Sequence, residues 1–222
     1  MPVLVSSPDW FLGFDSILEF ITTVIAFFIG YYSYKVFRIN NERKYFYLGF
    51  SFFAIALSFL SKALTNIAIY LELIRKVDIS VKLLDINFMY KIGFIVHIAL
   101  ILIAYITLVA LSLKIKDMRV ISLFVVTAVL ATIIGSSSLL LFQVISLIFL
   151  LYVIPYFYRN YTNNKNANSL IVLISFLLIA LSHLFYILLF TGANVFYVYG
   201  SVAQLLGYIG LLTNLVWCLK YG

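Results

Sequence analysis

Apolar runs close to twenty residues long recur along this chain from one end to the other. A bilayer's hydrocarbon core takes about 20 helical residues to cross. Backbone in lipid has to satisfy its own hydrogen bonds, so runs of this kind fold as helices. Burial in a soluble core fails on composition, because 65% of the 222 residues are hydrophobic and 10% charged, against about 25% charged in soluble domains. The expected fold class is an all-α polytopic membrane protein.

Seven transmembrane helices are expected, at 14–36, 45–71, 92–113, 120–137, 138–158, 169–190 and 194–219. The fourth is short, and its junction with the fifth is the tight run Gly135-Ser136-Ser137-Ser138. Gly and Ser clusters break helices, which favours seven over six. Basic residues set the orientation. With the N-terminus outside, the inner side holds Lys35, Arg38, Arg43, Lys44, Lys114, Lys116, Arg119, Arg159, Lys165 and Lys220. The outer side then holds Arg75, Lys76, Lys82 and Lys91. The expectation is a multi-pass protein of the cell membrane, N-out and C-in. The net charge of +7 reflects that bias, and no basic domain stands outside the membrane to bind nucleic acid. The opening residues lack the basic stretch of a cleaved leader. The single cysteine, Cys218, excludes internal disulfides and multi-cysteine metal motifs.

The chain also nearly repeats itself. Residues 51–60, SFFAIALSFL, match residues 175–184, SFLLIALSHL, at seven of ten positions. That offset of 124 holds without a gap from Tyr32/Tyr156 to Leu64/Leu188, with eleven identities over 33 positions. A second offset, 107, aligns Tyr90, Gly93 and His97 with Tyr197, Gly200 and Gln204. The implied organisation is three-plus-one-plus-three within a single bundle, 1–222: repeat one at 14–113, a linker helix at 120–137 and repeat two at 138–219. An odd linker leaves the two copies parallel, and proteins built this way place their working site between the copies.

Polar residues inside the spans mark where that site lies. An ionisable group there costs roughly 2.5–3.5 kcal/mol on insertion scales, so each is a functional candidate. Glu19, Lys62, His97 and His183 all fall within roughly 14 Å of the outer helix ends at about 1.5 Å per residue. Glu19 aligns with Gln143, and His97 with Gln204. Ser58, Lys62 and Asn66 recur every four residues, forming one stripe on helix two. The expected ligand-binding set is Glu19, Lys62, Asn66, His97, Gln143, His183 and Gln204, lining a cavity that opens outward. The bland alternative is a Glu19–Lys62 ion pair and scattered interhelical hydrogen bonds, worth about 0.6 kcal/mol each. Above the cavity, the outer loop 72–92 alternates Val77, Ile79, Val81 and Leu83 with polar residues. Either a short strand or an interfacial helix lying over the mouth fits that pattern. Tyr31, Tyr32, Tyr34, Tyr45, Tyr47, Tyr152, Tyr156 and Tyr158 sit near inner helix ends, as an interfacial belt does.

In topology the three-plus-one-plus-three arrangement, N-out and C-in, resembles the SWEET sugar transporters of the PQ-loop superfamily and the microbial rhodopsins. The proline-glutamine dipeptides of the former do not occur, and Pro155 is the sole intramembrane proline. Helix seven has no mid-membrane lysine for a retinal Schiff base, since Lys220 lies at the inner end. No residue roles carry over.

The leading expectation is a carrier for a small polar solute or ion, with proton coupling through Glu19 and the histidines. One alternative is a receptor-like or accessory subunit of a membrane complex, or a homo-oligomer, with Gly200, Gly207 and Gly210 as a small-residue face. A receptor is then expected to signal through a separate partner. A further alternative is haem held between His97 and His183; no other cofactor or metal is implied. There is no nucleophile–histidine–carboxylate spacing, no HExxH and no aspartate cluster, so an enzyme is not expected.

Overall fold

The computed structural model describes residues 8–11, 13–74, 79–115, 117–134 and 138–221. Among these described residues seven α-helices form: α1 Phe14–Asn40, α2 Arg43–Ile74, α3 Ile79–Ser112, α4 Met118–Ile134, α5 Ser138–Asn164, α6 Ala167–Leu188 and α7 Val195–Tyr221. Six of them, all but α4, are long and apolar enough to cross a membrane. With 17 residues, α4 reaches about 25 Å, short of the roughly 30 Å hydrocarbon core. The Gly135–Ser137 junction lies outside the described residues. Within α5 the helix runs through Pro155 without a break.

The outer surface of the bundle is apolar, unlike that of a soluble protein. Inward, α1 turns Asp15, Ser16, Glu19, Thr22, Ala26, Gly30 and Ser33. Outward it turns Ile17, Phe20, Val24, Phe27 and Tyr31, each between 39% and 56% exposed. An apolar outside of this extent is a lipid-facing surface, and the helices are those of a multi-pass membrane protein.

The helices close a ring. Within it α2 packs between α1 and α3, α6 packs between α5 and α7, and α1 meets α7 while α3 meets α5. Outside the ring, α4 rests on α3 and α5. Close approach at the α1–α2 contact rests on glycine: a Cβ on Gly30 would sit 3.2 Å from the Gly49 carbonyl, and one on Gly49 3.1 Å from that of Gly30.

Positions 124 apart behave alike. Asn41 and Lys165 both take left-handed backbone at helix ends (φ 54° and 49°), and their N–H groups bond the Phe37 and Tyr161 carbonyls at 2.8 and 2.7 Å. Ser51 and Ser175 both donate to the carbonyl one turn back, Tyr47 and Ile171, at 2.8 and 2.7 Å. Phe52 and Phe176, and Ile55 and Ile179, are buried in one core.

One expectation is corrected. Residues 79–90 are neither a strand nor a separate interfacial helix, but the first turns of α3. A lone strand leaves its backbone groups unpaired, whereas extending an existing helix pairs them within the segment. The part of that loop at 75–78 lies outside the described residues.

Candidate functional site: a polar cavity inside the ring

On α2 the polar stripe works in two directions. Lys62 Nζ lies 2.7 Å from Glu19 Oε1, with side chains 29% and 7% exposed. One turn on, the Asn66 amide donates to Glu19 Oε2 at 3.0 Å. One turn back, Ser58 Oγ donates to the His97 carbonyl at 3.0 Å and meets His97 Nδ1 at 2.6 Å. With the serine hydrogen given to that carbonyl, Nδ1 carries a hydrogen and Nε2 is left as an acceptor. Thus α2 ties α1 on one side and α3 on the other.

A second network, centred on His183 of α6, reaches both Gln143 of α5 and Tyr105 of α3 and so bridges the two halves. His183 Nδ1 lies 2.5 Å from Gln143 Oε1, and its Nε2 lies 2.9 Å from the Tyr105 hydroxyl. An amide oxygen only accepts, so Nδ1–H donates there and the Tyr105 hydroxyl donates to Nε2. This is the neutral imidazole, held by both nitrogens. Gln143 keeps its amide N–H groups for the cavity. On α7, Gln204 Oε1 accepts from the Tyr186 hydroxyl at 3.3 Å. A Cβ on Gly200 would lie 2.8 Å from the Tyr186 ring, so only glycine lets that ring approach α7.

Lys62, Asn66, His97, Gln143, His183 and Gln204 all line one cavity of about 100 Å³ inside the ring. Glu19 does not line it; it stands behind Lys62 and Asn66 and holds both. Asp15 does line it, one turn before Glu19 on the same face of α1. Its Oδ1 accepts the Gly13 and Ser16 N–H groups at 3.0 and 2.8 Å. Asp15 is not among the residues expected from the sequence, although its four-residue spacing from Glu19 places it on the same helix face.

Aromatic rings complete the wall. Phe142 stands edge-on to both imidazoles, with centroids 5.6 Å from His97 and 6.2 Å from His183. Tyr197 lies with its ring centroid 5.9 Å from Lys62 Nζ. Behind Tyr197, Phe11 of the short 3-10 turn Asp9–Phe11 packs at 6.1 Å. Neither aromatic was expected at the site, because chain position alone does not reveal which ring faces inward.

A bis-histidine haem does not fit these residues. Both nitrogens of His183 are engaged, and Nδ1 of His97 is engaged as well. Pockets for cofactor-sized groups run to about 300–1,000 Å³, well above the 100 Å³ found here. Nor do Gly200, Gly207 and Gly210 form an outward face, since all three abut α6 side chains, those of Tyr186, Ile179 and Ser175.

No protein-family model, curated protein or solved structure matches this chain. The functional reading therefore rests on the geometry of the cavity.

Proposed function

We propose that this protein binds a small polar solute or ion in the cavity inside its ring and carries it across the membrane. The observation that supports this most is convergence: polar side chains from all six ring helices, Asp15 on α1 through Gln204 on α7, meet at one cavity. Its volume, about 100 Å³, suits a solute of a few heavy atoms or a partly hydrated ion. The lining combines a cation, a carboxylate, amides and imidazoles, with no serine, threonine or cysteine among its described residues. That set offers donors and acceptors of both charge signs to a polar ligand.

In this reading α1–α3 and α5–α7 are parallel repeats related by an axis along the membrane normal, and the short α4 crosses between them where the bilayer thins locally to match it. The matched helix ends at Asn41 and Lys165 support that relation. With the basic helix ends inside, the N-terminus is outside and the cavity opens to the outer face of the cell membrane.

The test is uptake into proteoliposomes across a panel of amino acids, sugars, organic cations and sodium. At least one solute should accumulate above protein-free vesicles, and Gln143→Leu or Gln204→Leu should reduce that uptake on the order of tenfold, as loss of a polar contact to a buried ligand does. Saturable binding without uptake would move the protein to the receptor class. Folded protein showing neither binding nor uptake would overturn the reading.

A further inference from the structure

A second cavity, about 260 Å³, lies between α3, α4 and α5 at the opposite, basic end of the bundle. Its walls include Ala110 of α3, Leu113 and Ile115 of the connecting loop, Ile121 and Phe124 of α4, and Tyr152 of α5. It opens sideways onto the lipid-facing surface, with Leu113, Phe124 and Tyr152 between 49% and 58% exposed. The gap exists because α4 touches its neighbours through a narrow stripe, of which Ile121, Ala128 and Thr132 are buried. Protein interiors close-pack to crystal density, and an apolar cavity of about 150 Å³ already accepts benzene. In a membrane the medium at hand to fill such a cleft is hydrocarbon chain.

Charge at the mouth selects which chain. Lys114 sits between Leu113 and Ile115, both of which line the cleft, and Arg119 comes two residues before Ile121. Both cations are exposed. The connecting segment 114–119, Lys-Ile-Lys-Asp-Met-Arg, carries three cations against one carboxylate. That carboxylate is engaged in capping α4, where Asp117 Oδ1 accepts the Arg119 N–H at 2.9 Å. We propose that the cleft holds one acyl chain of an anionic phospholipid, whose phosphate headgroup rests on Lys114 and Arg119. The bound lipid wedges α4 against the ring, supplying apolar contacts that α4 lacks from the protein.

Native mass spectrometry of the delipidated full chain, titrated with phosphatidylglycerol or phosphatidylcholine, tests this. The wild type should retain one phosphatidylglycerol at a concentration on the order of tenfold below that needed for phosphatidylcholine, as two surface cations acting on an anionic headgroup predict. Lys114→Ala/Arg119→Ala should erase the preference, and Ala110→Phe, which fills the cleft, should remove the retained lipid. The double variant alters only exposed side chains, so it decides the matter if Ala110→Phe fails to fold. Equal retention of the two lipids, or a preference unchanged in the double variant, would overturn the proposal. So would a dimer peak abolished by Ala110→Phe, which would assign the cleft to a second copy.

Discussion

At position 19 the first half of the ring carries a carboxylate, and at the aligned position 143 the second half carries an amide. Each reaches the next helix in its own half, but at different heights. Glu19 meets Lys62 and Asn66, whereas Gln143 meets His183, which aligns with Phe59, nearly one turn below Lys62. Ser51/Ser175, Phe52/Phe176 and Ile55/Ile179 match in identity at the same offset, while the polar contacts fall at different heights. At matched positions the ring thus holds an ionic contact within α1–α2 and a neutral hydrogen-bond chain running from α5 through α6 to α3. That difference sets unequal penalties for breaking them, because an orphaned buried charge costs more than an orphaned amide.

The largest expected effect comes from Lys62→Ala. Removing one partner of a buried pair costs about 3–5 kcal/mol, read as a fall in thermal midpoint in detergent. Glu19→Gln/Lys62→Met should restore most of that loss. A loss for Lys62→Ala no greater than that for a surface lysine would show that Glu19 is solvated, and the contrast between the halves would collapse.

Next comes His183→Phe, which gives the second half the residue type of the first at this position. Gln143 Oε1 and the Tyr105 hydroxyl lose their partner, for about 1–3 kcal/mol. A neutral result would mean that the two groups find each other or water, and the chain through His183 would not be a structural unit. Gly200→Ala follows at about 1 kcal/mol, the low end of overpacking costs, because the new Cβ meets the Tyr186 ring at 2.8 Å. It should also weaken ligand binding by disturbing the Tyr186–Gln204 contact; unchanged affinity would place that pair outside the binding surface. Asn66→Leu is the mildest, near the roughly 0.6 kcal/mol average for interhelical hydrogen bonds in bundles. A double-mutant cycle with Glu19→Gln isolates it, and a zero coupling energy would remove Asn66 from the Glu19 network.

The helices were legible because hydrophobic length is a local property that a membrane enforces directly. The polar residues were legible as candidates for a similar reason, since Glu19, Lys62, His97 and His183 are expensive wherever they sit in a span. Less legible was the segment at 79–90, whose alternation of apolar and polar residues mimics a strand. Continuation of α3 decides its form, because that supplies backbone partners which alternation cannot. Gly200, Gly207 and Gly210 stand out in the sequence as small residues on one helix, but which way they face depends on where α6 lies.

What the amino-acid sequence determined by itself is the class of fold and the cast of polar side chains, because transfer of each residue into hydrocarbon is a nearly independent cost. Which of those side chains face the cavity was decided only by tertiary packing. Glu19 stands behind Lys62, Asp15 comes forward, Phe142 stands edge-on to both histidines, and α4 leaves a cleft open to lipid. Rotation and depth of a helix follow from close contacts such as Gly30 against Gly49, and those contacts join residues far apart in the chain, beyond the reach of any local periodicity.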